Sequence, residues 1–140
     1  MEYTIDMGIT PLLYKVAHKC ILMQNEKLKD YSISAQQAAL LGMIVFLGED
    51  NGINQKTLSK EMQVKESSVS SLVKTMIKNG FIFKEQSKED GRNYIIKLTD
   101  KGNEIIEVLK NAKGQIEKEI YGHLSDEEKD GLIKTLIKLV

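Results

Sequence analysis

The sequence has few of the residues from which catalytic, metal and disulfide sites are built. Its 140 residues include one cysteine, two histidines, one proline and no tryptophan. Cys20 alone cannot form an internal disulfide, and no Cys-x-x-Cys pair is present for zinc or dithiol chemistry. A glycine-rich phosphate loop, a His-Glu-x-x-His pattern and a nucleophile elbow are also missing. We therefore expect neither an enzyme nor a protein that holds a metal or another cofactor.

Long apolar segments are missing as well. The longest apolar run, residues 38–47, is half of the roughly 20 residues that a membrane-spanning helix needs. The amino-terminal segment lacks the basic region and the following apolar stretch of a signal peptide. No linker, repeat or low-complexity segment divides the chain. The composition thus predicts a cytoplasmic chain without a membrane partner, in which residues 1–140 form a single unit.

Capping residues and helical periodicity predict two helices in the first 50 residues. Thr10 as N-cap and Pro11 at the first helical position begin one helix, whose apolar stripe ends near residue 28. Ser34 and Gln37 form a capping box, in which each side chain binds the backbone of the other residue. This box identifies the apolar run 38–47 as a buried helix rather than a strand.

Two shorter helices are predicted next. Asn54 caps the first of them, and after a tight connection the second runs from Glu66 to Lys78. One face of this second helix is apolar, whereas the opposite face is hydroxylated and then basic, without an acid. The residues of the hydroxylated and basic face are Ser67, Ser70, Ser71, Lys74 and Lys78.

The last part of the sequence predicts a β-hairpin and two more helices. Segments 81–86 and 93–98 have strand composition and flank a turn signal at Asp90-Gly91. Thr99 begins a long amphipathic helix. Ser125 with Glu128 then forms a second capping box, which begins a short final helix.

This order of elements predicts a mainly α fold with a small β-hairpin wing, a winged helix-turn-helix flanked by helices at both ends. The winged module covers residues 53–102. Residues 1–30 and 103–140 supply the flanking helices, which the core of a winged module does not need. We expect these flanking helices to pair in a dimer.

The distribution of charge points to a nucleic-acid partner. Twenty basic and 20 acidic residues cancel over the whole chain, and Arg92 is the only arginine. Residues 53–102, however, contain ten basic and six acidic residues, a net charge of +4, whereas residues 1–52 and 103–140 each carry −2. A basic module between acidic flanks is typical of a protein that binds duplex DNA with one surface. The ordinary alternative is that a surface rich in Lys and Glu varies locally by a few charges.

Several short segments resemble MarR-type (multiple antibiotic resistance regulator) transcription factors. Segments 58–64, 67–73 and 78–82 are similar to the helix-turn-helix of that family. Asp90-Gly-Arg92, followed by Leu98-Thr-Asp-Lys-Gly102, resembles the wing signature of the family, an Asp-x-Arg shortly before Leu-Thr-x-x-Gly. The wing signature is the more specific of the two, and the flanking helices also fit the family in number and order.

The resemblance implies roles for individual residues. Helix 66–78 would be the recognition helix in the major groove, with serines near its start and lysines toward its end. Arg92 at the hairpin tip would enter the adjacent minor groove, where A·T-rich tracts concentrate negative potential. Asp90 would brace the wing or orient a nearby basic group. The complete set of candidate DNA-binding residues is Lys65, Ser67, Ser68, Ser70, Ser71, Lys74, Lys78, Lys88, Asp90 and Arg92.

Two departures from the family pattern concern this surface. Lys65 stands where the family often has a serine-like N-cap, so the recognition helix is less well capped but better charged for phosphate. Gly91 stands where many members have a second basic residue, which leaves Arg92 as the only guanidinium of the tip. Serines in place of Arg or Asn on the recognition face predict modest direct readout of bases and a larger contribution from DNA shape.

The resemblance also implies a pocket for a small apolar or aromatic effector. The candidates for it are His18, Met23, Met43 and Phe46, although Met and Phe on an apolar stripe are commonly core residues. Cys20 is either a core residue or, as in some MarR relatives, an oxidant sensor. His18 and Cys20 are two positions apart, so they point to different helix faces and make a poor metal pair.

The function predicted from the sequence is that of a sequence-specific transcriptional regulator, a ligand-responsive repressor. It would act on double-stranded DNA as a homodimer, and two-fold symmetry predicts a pseudo-palindromic operator. The alternative is a winged-helix protein-interaction module that does not bind DNA.

Overall fold

The computed structural model describes residues 2–49 and 51–140. Segment 48–52, which begins and ends with glycine, predicts the end of the second helix, and Asp50 within it lies outside the described residues. Among those residues the chain forms six α-helices and one antiparallel hairpin. The elements are α1 (Ile9–Leu28), α2 (Ala35–Gly48), α3 (Gln55–Met62), α4 (Glu66–Lys78), β1 (Ile82–Gln86), β2 (Tyr94–Leu98), α5 (Asp100–Glu119) and α6 (Asp126–Ile137). This order confirms the predicted fold class, a mainly α chain with a β-hairpin wing.

Both predicted capping boxes are present. The Ser34 hydroxyl accepts a hydrogen bond from the Gln37 amide (3.1 Å), and the Gln37 side chain accepts one from the Ser34 amide (3.2 Å). Ser125 and Glu128 make the same reciprocal pair at 3.1 and 3.0 Å. These bonds satisfy amides that have no partner within the helix, and they fix the residues at which α2 and α6 begin.

Removing the Ser34 cap is expected to destabilise the fold modestly. Ser34→Ala deletes the acceptor for the Gln37 amide, and the loss of an N-cap of this kind costs about 1 kcal/mol. Urea unfolding followed by circular dichroism measures the change, with Ser68→Ala as the control, because Ser68 is exposed and caps no helix. An unchanged unfolding free energy for Ser34→Ala would contradict the stabilising role of the box.

The predicted start of α1 is wrong by two residues. The helix begins at Ile9, and its N-cap is Gly8, whose φ of 80° lies in the left-handed region that favours glycine. Pro11 is therefore the third helical residue rather than the first. Proline fits there because the amides of the first helical turn have no intrahelical acceptor, so its missing N–H costs nothing.

The hydrophobic core lies where α2, α3, α4 and the hairpin meet the first half of α5. Its largest buried side chains are Leu40, Leu41, Ile44, Leu58, Val69, Val73, Met76, Phe81, Ile82, Ile96 and Ile105. The terminal helices contribute little to it. Leu28 is the only α1 side chain that is buried among the described residues, and α6 has none.

An isolated β-bridge extends the two-stranded hairpin, which the sequence did not predict. Ile53 pairs with Ile96 of β2 through two backbone hydrogen bonds of 3.2 and 2.7 Å. Gly52 makes this close approach possible. Its φ is +78°, and a Cβ atom there would lie 2.8 Å from the Ile96 carbonyl oxygen. The bridge fixes the start of α3 against the base of the wing.

The Leu-Thr-x-x-Gly motif forms the junction between the recognition helix, the wing and α5. The Thr99 hydroxyl accepts a hydrogen bond from the Gly102 amide (3.1 Å) and donates one to the Gly80 carbonyl. The Thr99 amide donates to the Phe81 carbonyl at 3.1 Å. A Cβ atom on Gly102 would overlap the Phe81 carbonyl oxygen, and the Lys101 ammonium lies 4.5 Å from the centre of the Phe81 ring. The motif is therefore a packing requirement of this junction.

No single helix of the described chain is long and apolar enough to cross a membrane. Only the segments Ile9–Tyr31 and Ala35–Gly48, which are bent by 97° relative to each other, meet the length and composition criteria when they are taken together.

Candidate DNA-binding surface

Helix α4 presents the serine and lysine side chains because its opposite face is buried. Val69, Val73 and Met76 are completely covered by the core. A helix with 3.6 residues per turn then places the other face toward solvent. Four residues of that face are exposed, Ser67, Ser71, Lys74 and Lys78, and Ser70 is half-buried. The neighbouring candidate Ser68 is exposed as well.

Some hydroxyl groups of α4 donate hydrogen bonds to carbonyl groups of the same helix. The Ser71 hydroxyl donates to the Ser67 carbonyl at 3.1 Å, and the Thr75 hydroxyl donates to the Ser71 carbonyl at the same distance. The Ser71 oxygen keeps its capacity to accept. Lys65 is the N-cap residue of α4, and no side chain caps this helix, as its sequence led us to expect.

Asp90 holds the tip of the wing in shape. Its carboxylate accepts hydrogen bonds from the Arg92 amide (3.0 Å) and from the Asn93 side chain (2.9 Å). The Ser87 amide donates to the Asn93 carbonyl at 2.8 Å, and the Gln86 side chain donates to the Gly91 carbonyl. Of the two roles considered for Asp90, this geometry favours bracing of the wing backbone.

The cationic side chains of this surface are free of ion pairs within residues 2–49 and 51–140. Of the ion pairs in those ranges, the one in the winged module joins Lys97 to Glu85 at 3.1 Å. Lys65, Lys74 and Lys78 take part in none, and neither do Lys88 and Arg92. All five are exposed. Their charges are therefore available to an anionic partner.

Sequence reasoning missed one basic region beside this surface. A groove of about 460 Å³ separates the start of α3 from the wing, and we call it the α3–wing groove. Its main lining residues are Asn54, Gln55, Lys56, Lys84, Arg92 and Asn93. Lys56 and Lys84 are 28 positions apart in the sequence, so no local pattern connects them. The only related signal in the sequence is the net charge of +4 of the winged module.

The four effector-pocket candidates do not share one cavity in this structure. Met23 lines a groove next to Gln115, whereas Phe46, 79 % exposed, lines a different one between α2 and α5. Met43 packs against the core. His18 is exposed, and its ring stacks on Tyr14 with the ring centres 5.7 Å apart.

Cys20 has a partner that the sequence did not indicate. Its sulfur lies 3.5 Å from the hydroxyl of Tyr121, which follows α5, 101 residues later in the chain. The side-chain hydrogen bond with Cys20, followed by burial, raises the pKa of Tyr121 to about 12. The contact between Cys20 and Tyr121 links α1 to the end of α5.

Comparison with known proteins agrees with this architecture. A sequence model described as the transcriptional regulator SarA/Rot family matches residues 23–109. The HTH-type transcriptional regulator YdgJ of Bacillus subtilis (strain 168) is 29% identical over 99 residues, which are 71% of this chain but only 60% of YdgJ. The HTH-type transcriptional regulator SarZ of Staphylococcus haemolyticus (strain JCSC1435) is 27% identical over 125 residues, 89% of this chain and 82% of SarZ.

Two solved structures show the same fold. The S. aureus MepR–DNA complex superposes with a TM-score of 0.82 at 21% identity, covering 97% of this chain and 96% of that one. A crystal structure of MarR superposes with a TM-score of 0.79 at 22% identity, covering 99% and 92%. The resemblance to MarR-type regulators that the wing signature suggested is thus confirmed. Because the family match spans more than half of its residues, this chain belongs to the SarA/Rot family of transcriptional regulators, and it shares its winged-helix fold with MarR.

Proposed function

We propose that the chain is a sequence-specific, DNA-binding repressor that acts as a homodimer and leaves its operator when a small apolar effector binds. The observation that carries DNA binding is the exposed serine and lysine face of α4, next to a braced wing with Arg92 at its tip. Helix α4 has the width and charge to enter the major groove, and the wing reaches the neighbouring minor groove. MepR, which has the same fold, has been solved on DNA.

The proposed dimer rests on the apolar side chains that α1 and α6 leave uncovered. Ile133 and Ile137 of α6 are 55 % and 63 % exposed, and Ile9 and Leu13 of α1 are exposed as well. A monomeric protein rarely exposes apolar residues at both ends of the chain in this number. A two-fold dimer would hold two copies of α4 about 34 Å apart, one turn of DNA, and would match a pseudo-palindromic operator.

The effector would act by changing that spacing. The groove between α2 and α5 has mainly apolar walls, which include Phe46, Gly42 and Leu109. An apolar or aromatic molecule bound in this groove favours the conformation of the dimer in which the groove is open enough to hold it. It releases DNA only to the extent that it binds this conformation more tightly than the DNA-bound one.

Removing the arginine of the wing tests DNA binding directly. Arg92→Ala is expected to weaken binding to operator DNA about tenfold or more, since one good groove contact is worth about 1–3 kcal/mol. Fluorescence anisotropy over a series of salt concentrations gives both the affinity and the salt dependence. Lys118→Ala on α5, outside the winged module, is the control and should bind like the wild type.

The outcomes separate the two functions predicted from the sequence. An unchanged affinity and salt dependence for Arg92→Ala would contradict the role of the wing. A wild-type chain that bound no duplex, including DNA from its own upstream region, would overturn DNA binding and favour a winged-helix protein-interaction module.

A further inference from the structure

The α3–wing groove has no part in the base recognition proposed for α4. Three of its lining side chains are cationic, Lys56, Lys84 and Arg92, and none of the described residues that line it is acidic. Lys56 and Lys84 are exposed, and neither takes part in an ion pair within the described ranges. The groove therefore concentrates positive charge next to Arg92.

The strand register explains why Lys84 points into this groove. Lys84 pairs with Ile96, and paired residues of an antiparallel ladder lie on the same face of the sheet. Ile82, two residues before Lys84, is on that face as well and is buried in the core. One face of the hairpin thus has two parts. Near α5 it covers the core, and next to the start of α3 it carries the basic side chain of Lys84. Tyr94, also on this face, is 56 % exposed and lines the groove.

Two acidic side chains of the neighbouring wing, Glu85 and Asp90, are engaged by other partners. Glu85 lies on the opposite face of β1, where it pairs with Lys97 at 3.1 Å. The carboxylate of Asp90 is occupied by the backbone and side chain of the wing tip. Asn54 is also occupied, because its side chain accepts the Thr57 amide at 2.8 Å as the cap of α3.

We propose that the α3–wing groove binds a phosphate group of the DNA backbone beside the minor groove that Arg92 enters; this inference rests on the proposed DNA-binding function. The minor groove is only about 6 Å wide, so the phosphates of its borders lie within one side-chain length of Arg92. Lysine ammonium groups suit a phosphate as compact point charges, and the Tyr94 hydroxyl adds a donor. A contact of this kind fixes the position of the wing without reading sequence.

The test is a salt series on the full chain with duplex DNA of random sequence, about three helical turns long. The double variant Lys56→Ala, Lys84→Ala is expected to bind about fivefold more weakly at about 0.1 M salt. The slope of log K against log[salt] should fall by about 0.9, the contribution of one phosphate. Lys84→Arg keeps the charge and should bind like the wild type.

The matched control is the double variant Lys118→Ala, Lys134→Ala, which removes the same two charges from exposed positions of α5 and α6. Its affinity should stay within about twofold of the wild type with the same salt slope. If the groove variant behaves like this control while Arg92→Ala weakens binding, the groove proposal is wrong and the proposed function stands. If the wild type binds no duplex, the proposed function is wrong and the groove proposal with it.

Discussion

Replacing Gly102 with alanine is expected to destabilise the protein by about 3 kcal/mol, because the new methyl group has no space. The added Cβ would overlap the Phe81 carbonyl oxygen and would lie within 3.2–3.3 Å of two Leu98 side-chain atoms. Overpacking a well-packed site commonly costs about 1–3 kcal/mol, and a backbone carbonyl cannot move aside as a flexible side chain can. Urea unfolding followed by circular dichroism measures the effect.

A second glycine in the same helix provides the control. Gly114 of α5 is exposed, and a Cβ atom there would meet nothing within 4 Å. Gly114→Ala is therefore expected to stabilise the protein by up to about 1 kcal/mol, since alanine has the higher helix propensity. The same substitution thus has opposite signs at two positions of one helix. Equal unfolding free energies for the two variants would contradict the packing explanation of the Leu-Thr-x-x-Gly motif.

Disrupting the apolar face of α6 is expected to have the largest effect on DNA binding. The double variant Ile133→Asp, Ile137→Asp places two carboxylates on the surface that we propose to be buried between two chains. The variant should be monomeric in analytical ultracentrifugation. Its affinity for operator DNA should fall by about 100-fold or more, because two linked recognition helices gain about 10²–10⁴ in avidity over one.

Lys134→Asp is the control for this experiment. It changes the net charge by the same two units on α6 but lies outside the apolar face, so the dimer and its affinity should persist. Two results would contradict the proposal. One is a double variant that still sediments as a dimer, and the other is a monomeric variant that binds operator DNA as tightly as the wild type does.

Features that depend on neighbouring residues were predictable from the sequence. The capping boxes at Ser34 and Ser125 and the bounds of α4 follow from interactions three or four residues apart, which a sequence pattern records directly. The braced tip of the wing is equally local, since Asp90 binds groups two and three residues away.

Features that depend on distant residues were not predictable. The bridge from Ile53 to Ile96 joins positions 43 apart, and neither residue carries a signal for the other. The same holds for the contact between Cys20 and Tyr121. The α3–wing groove required both the register of the hairpin and the bridge at Ile53, which bring Lys56 and Lys84 to one site.

For the candidate DNA-binding surface, the sequence identified the residues of α4 and of the wing tip because helix periodicity and a short motif mark them. For the effector site, the sequence indicated only which helices would line the pocket. In the structure the four candidates do not line one common cavity; they are His18, Met23, Met43 and Phe46. Pocket walls come from several elements at once, so the sequence of any one element does not define them.

The hydrogen bonds of Thr99 join the residues that follow α4 to the first turn of α5. The Gly80 and Phe81 carbonyls, just beyond α4, are both bound by Thr99, and the first turn of α5 rests on the same backbone. A 20-residue helix such as α5 is about 30 Å long, so tilting it by about 10° moves its far end by about 5 Å. A tilt of α5 would therefore be transmitted through this junction both to the end of α4 and to the base of the wing.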